Sequence, residues 1–156
     1  MIAVAKWLHL VALAVWLGSI VFFSFAVAPL VFSVLPRADA GRVVSAIFPT
    51  YYFIGYGCGV ALLLTALLLR ATATSAVRSW SIVTGVTALT LAVTLYAGLV
   101  VQPRAHALRA SLQEAAEGSP IKAEFDNLHR RAVQLNGSAL IGVLILSGLT
   151  AARLRP

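Results

Sequence analysis

Asp126 and His129 stand three residues apart in Phe125-Asp126-Asn127-Leu128-His129, a spacing that places both on one face of a helix. A carboxylate and an imidazole so placed can share a metal ion, or the carboxylate can orient the imidazole for one. Other polar groups fall close to the same level of the chain: Tyr51 and Tyr52, Gln102 and Arg104, His106, Gln134 and Asn136. Gathered together, Tyr51, Tyr52, Gln102, Arg104, Asp126, His129 and Asn136 would form a site for a small polar ligand or a metal. Arg104 would favour an anionic group there. The competing reading is that these groups satisfy one another where helices leave a bilayer, Asn136 with Gln102 locking two helices together. His9 lies far from this set; it reads as a membrane-interface histidine or as a metal or haem ligand, and His106 and His129 are the other imidazoles open to a metal or haem.

The elements that must position these residues are apolar. All twelve Lys and Arg and all five acids lie outside four runs, about Trp7–Phe32, Val43–Leu69, Trp80–Val101 and Ala132–Ala152. About 20 helical residues cross a hydrocarbon core of about 30 Å, so each run is long enough to span. The composition agrees, with 60% hydrophobic and 11% charged residues in 156. The expected architecture is therefore all-α: a polytopic membrane protein with four transmembrane helices in one antiparallel bundle, a single domain. The formal charge of +7 is the usual topology and lipid signal of cations at span ends. Basic clusters interleaved with aromatics for stacking on bases are absent, and no nucleic-acid partner is expected. The first run is read as a retained span, because it is about twice a signal-peptide apolar region and Pro29 follows Ala26-Val27-Ala28.

Within the runs, Pro29 predicts a kink or helix end in span one. Asp39 is expected to cap span two near Gly41, and Gly55 and Gly59 form a GxxxG pair that supports tight helix packing more than any named dimer; a homo-oligomer through small-residue faces is expected separately. Thr87, Thr90 and Thr94 share a face of span three and should turn it inward. The long connector from about Gln102 to Arg131 should extend spans three and four as helices joined by a turn near residue 118.

With four crossings, His9 lies on the side of the termini and His129 on the other, about 30 Å away. A haem held between them is thus geometrically disfavoured. The terminal side carries Lys6, Arg70, Arg78, Arg153 and Arg155 with no acid, a composition that suits a cytoplasmic face for both termini. No charged residue lies mid-span, where proton relays and coupled transporters place them. The lone cysteine, Cys58, and the lone methionine, Met1, supply no disulfide and no soft-metal relay. Motifs for phosphate loops, HExxH zinc sites or nucleophile constellations are missing.

His9-Leu10 through Trp16-Leu17-Gly18, then Phe22-Phe23, Phe48-Pro49-Thr50-Tyr51-Tyr52, Pro103, and Phe125-Asp126 with His129 through Asn136 resemble the transmembrane-protein-205-like family over nearly the whole chain. That resemblance implies a small four-helix membrane protein of unassigned biochemical role. Where the family shows a serine, this chain has Ala132-Val133. The first-span pattern is also similar to the copper resistance D family and to the membrane protoporphyrinogen oxidase that uses a first-span histidine. These similarities imply copper handling or haem chemistry. The expected function is non-enzymatic small-ligand binding, scaffolding or transport assistance in the lipid bilayer, with no cofactor required. A haem-, porphyrin- or copper-binding redox protein using His9 or His129 is the alternative.

Overall fold

A computed structural model describes residues 1–72, 77–112 and 119–153. They form four long helices: α1, Ile2–Val34; α2, Arg37–Thr72; α3, residues 77–112; and α4, Pro120–Ala151. Each contains a stretch long and apolar enough to cross a bilayer, and no strand occurs among the described residues. At 1.5 Å per residue the 36-residue α2 is about 54 Å long, so the helices outrun a core of about 30 Å.

Helix ends follow local chemistry. Leu35 precedes Pro36 and is extended, as the proline ring requires, which ends α1. The helix α2 begins at Arg37, so Asp39 lies inside its first turn and pairs with Arg42 at 3.5 Å, not at the cap expected from sequence. Ser119 caps α4, its hydroxyl accepting the Lys122 N–H, with Pro120 at the first helical position. The connector helices are as expected: α3 runs on through Gln102–Leu112, and α4 starts twelve residues before the span predicted from Ala132. The turn expected near residue 118 lies outside the described residues.

Two of the helices widen at matching places. Phe23–Val27 in α1 and Ala97–Val101 in α3 are π-helical turns, in which the Ala28 N–H reaches the Phe23 carbonyl and the Gln102 N–H reaches the Ala97 carbonyl. Pro29 and Pro103 each follow two residues after the wide turn. A proline leaves a carbonyl without its donor and crowds the preceding turn, and a single π turn absorbs both effects while the helix continues. Pro29 thus widens α1 instead of ending it.

The helices pack in a closed ring, each against its neighbours in sequence and α1 against α4. The centre of α1 is Trp16, 1% exposed, which lies over Gly55 and Gly59 of α2. A Cβ at Gly59 would stand 2.6 Å from a Leu91 methyl and 3.1 Å from the Trp16 ring. The GxxxG pair is therefore spent inside the chain. Thr87, Thr90 and Thr94 are buried, and each hydroxyl donates to the carbonyl four residues earlier. Their stripe faces inward as anticipated, with Thr90 filling the space beside Gly142 of α4.

Candidate functional site

Three polar assemblies sit at different depths. At the terminal end, His9 is 1% exposed and touches all three other helices. Its Nδ1 lies 2.8 Å from the Thr65 hydroxyl of α2, its Nε2 lies 3.3 Å from the Thr150 hydroxyl of α4, and its ring meets Trp80 of α3 edge-on at 5.7 Å. Thr65 also donates to the Ala61 carbonyl at 2.7 Å. With its only proton so directed, Thr65 accepts from His9 Nδ1–H, leaving Nε2 to accept from Thr150. The ring that the sequence placed at the membrane interface is a tie in the bundle interior.

About fourteen residues further along each helix, roughly 21 Å away, is a second tie. The Tyr51 hydroxyl donates to Asn136 Oδ1, and Asn136 Nδ2 donates to Ser24 Oγ at 2.9 Å. Asn136 therefore joins α4 to α2 and α1, and the partners of the competing structural reading are Tyr51 and Ser24 in place of Gln102 on α3. Above it lies an aromatic stack: the Tyr51 ring stands 4.8 Å from Phe23, and Tyr52 stands 5.2 Å from Tyr51 and 6.2 Å from Tyr56. Gly98, within the π turn of α3, leaves room for the Tyr52 ring and the Tyr56 hydroxyl. A narrow cleft lined by Trp16, Tyr51, Tyr52, Thr94 and Asn136 has about 10 Å³ of room for water centres, space for about one water.

The third assembly is a groove at the long-connector face with about 30 Å³ of such room, formed by Phe48 and Tyr52 of α2, Gln102, Ala105 and Arg109 of α3, and Phe125, His129 and Ala132 of α4. The Arg109 guanidinium lies 5.6 Å over the Phe125 ring, within cation–π range, and His129 stacks near-parallel on Phe125 at 6.4 Å. Gly41 makes space for Arg109: a Cβ there would meet its guanidinium. No carboxylate of the described residues pairs with Arg109; Arg42–Asp39 is the ion pair found among them.

Of the residues proposed from sequence, the groove gathers Tyr52, Gln102 and His129, while Tyr51 and Asn136 belong to the inner cleft. Arg104, His106 and Asp126 are exposed and line neither cavity. Among the described residues no three His, Cys, Asp or Glu side chains converge as a metal set. Sequence reasoning missed Arg109, Phe125 as a wall, Ser24, and the Thr65 and Thr150 partners of His9. A signal for the groove was available: Gln102, Ala105 and Arg109 follow i, i+3, i+7 spacing, and Phe125, His129 and Ala132 follow i, i+4, i+7.

Four apolar spans in a closed bundle define a multi-pass α-helical membrane protein. The chain belongs to the family described as "Domain of unknown function (DUF4149)", which it matches over residues 11–114. It is also similar to an "Uncharacterized protein" of Aquifex aeolicus (strain VF5), 36% identical over 107 residues that make up 69% of this chain and 74% of the relative. No solved structure matches. The family match takes in Tyr51, Tyr52, Gln102 and Arg109, and stops before Phe125, His129 and Asn136.

Proposed function

We propose that this protein is a non-enzymatic binding protein of the membrane, taking a small anionic ligand in the groove beside Arg109. The observation that carries this reading is the guanidinium itself: half-buried, seated between Gly41 and Phe125, and without a carboxylate among the described residues. A cation held this way against an aromatic wall suits a planar or tetrahedral oxyanion. Gln102 and His129 add polar atoms beside it, and Phe48 and Tyr52 add apolar surface. Scaffolding or transport assistance would be the consequence of such binding. The acid-free basic residues on the side of the termini support a cytoplasmic location for both. Self-association, if it accompanies function, would use the outward glycines Gly18, Gly85 and Gly148, which have open space beside them.

Benzoate is a suitable probe, since it offers a carboxylate to Arg109 and a ring to the aromatic walls. Calorimetric titration of the detergent-solubilised chain should give saturable binding that Arg109→Gln removes and Arg104→Gln leaves intact. Binding that survives Arg109→Gln refutes the reading, as does failure of every anionic probe. The resemblance to copper resistance D proteins and to the membrane oxidase supports a second reading, copper or haem bound through His9. Metal analysis and a visible spectrum of protein purified without added cofactor decide it: a Soret band lost in His9→Ala would overturn the non-enzymatic proposal.

A further inference from the structure

The groove sits where two apolar runs end, at Val101–Gln102 and at Ala132, which is the depth of lipid phosphates. Beside its wall residues the bundle turns apolar side chains outward. Phe53, next to Tyr52, is 77% exposed; Leu99, one turn below Gln102, is 61% exposed; Val133, next to Ala132, is 58% exposed. These surfaces face acyl chains in a bilayer. Above the groove the exposed cations Arg104, Arg130 and Arg131 add positive potential.

A second feature lies on the same helix face. Gly41, Ser45, Phe48 and Tyr52 follow i, i+4, i+7, i+11 spacing on α2, and three of them touch Arg109 or line the groove. The Ser45 hydroxyl oxygen is buried and has no hydrogen-bond partner. Other helical hydroxyls here, such as Thr84, Ser138 and Ser147, bond back to their own carbonyls four residues earlier. A buried hydroxyl without a partner is costly unless something else satisfies it.

We propose that this groove seats the phosphate of an anionic phospholipid headgroup, with Arg109 as its charge partner and the acyl chains lying along Phe53, Leu99 and Val133. The assignment rests on the binding reading above and names its ligand class. The oxyanion answers the Arg109 charge, and its oxygens or a water they hold answer the Ser45 hydroxyl. A quaternary ammonium headgroup would instead place a second cation beside Arg109, which selects phosphatidylglycerol over phosphatidylcholine.

Native mass spectrometry of the full chain, titrated separately with phosphatidylglycerol and phosphatidylcholine, tests this. The expected result is a one-to-one phosphatidylglycerol adduct, at least about tenfold stronger than the phosphatidylcholine adduct, weakened about tenfold or more in Arg109→Gln and unchanged in Arg104→Gln. Arg109→Lys, which keeps the charge, should retain part of the preference and covers the case in which Arg109→Gln does not fold. Equal adducts with the two lipids, or an adduct indifferent to both Arg109 variants, overturns the proposal. A calorimetric titration with inorganic phosphate separates the sources: Arg109-dependent phosphate binding without a phosphatidylglycerol adduct overturns the lipid assignment. Benzoate binding without any phosphate or phosphatidylglycerol binding overturns this inference and spares the broader reading, whereas failure of all three probes refutes both.

Discussion

Replacing His9 with alanine tests whether the terminal end of the bundle is held by a structural tie or prepared as a ligand site. The substitution deletes two interhelical hydrogen bonds, to Thr65 and Thr150, and the edge contact with Trp80. Hydrogen bonds between membrane helices average about 0.6 kcal/mol, so the pair contributes about 1.2 kcal/mol. The ring is 1% exposed, and truncating a closed-in side chain of this size adds about 2 kcal/mol, the low end of the large-to-small range. The expected loss is about 3 kcal/mol. Thr65 keeps its bond to Ala61, so little of the loss comes from an orphaned hydroxyl on α2. Reversible unfolding in mixed micelles measures the total, and a cycle with Thr65→Val isolates one bond, with a coupling of about 0.6 kcal/mol. His9→Gln, which retains hydrogen-bonding capacity, should recover part of the stability. A His9→Ala variant within about 0.5 kcal/mol of the parent would refute the tie, because a surface site tolerates substitution to that extent.

The inner cleft gives a second stability test: Asn136→Leu should destabilise by about 1–2 kcal/mol by leaving the Tyr51 and Ser24 hydroxyls unpaired, and Tyr51→Phe in that background should cost less than in the parent. Both are read by the same unfolding assay, and additive effects would contradict the shared bond. Gly59→Val should cost about 1–3 kcal/mol by overpacking against Leu91 and Trp16. If it changes a dimer fraction in analytical ultracentrifugation and leaves stability alone, the GxxxG pair is an external face after all. For orientation, single cysteines at Arg104 and Arg153 in a Cys58→Ser background should differ in reactivity toward an impermeant maleimide in intact cells. Labelling at 104 and protection at 153 is the expected pattern, and the reverse would invert the topology.

Depth was legible in the sequence and direction around the helix axis was not. Runs bounded by charge marked the four spans because hydrocarbon tolerates so few charged residues. The same bookkeeping held the His9 partners: His9 is three residues inside Lys6, Thr65 five inside Arg70, Trp80 two inside Arg78 and Thr150 three inside Arg153. All four lie at one level, yet which side chains face one another depends on how the helices are rotated. The same gap left the partner of Asn136 open, because its depth admits Gln102 and Ser24 alike. The threonine stripe was readable because three inward positions on one helix share a period. Arg109 escaped because cations in a polar connector are ordinarily solvated; its seat depends on Gly41, remote in sequence and lacking a side chain. Pro29 signalled a disturbance in α1, but its form depends on whether the neighbours accommodate a wider turn.

These features divide the bundle unequally along its axis. Leu62, Val83, Val143 and Leu146, each 0% exposed, lie within two turns of the His9 level, where all four helices are bound to one ring. The connector half holds both π turns, both cavities and the unpartnered Ser45 hydroxyl. Close packing resists displacement, whereas a widened turn beside a cleft offers alternative hydrogen bonds at small cost. A ligand in the Arg109 groove would touch α3 and α4 on the water side of the Asn136 tie, and α2 through Phe48 and Tyr52. Any rearrangement it produces should therefore be absorbed in α3 around Ala97–Val101 and leave the His9 level in place. Amide exchange with and without phosphatidylglycerol reads this directly: protection should rise at residues 97–109 and stay constant around Thr65 and Thr150. A uniform change along the bundle would mean that the two halves move as one body.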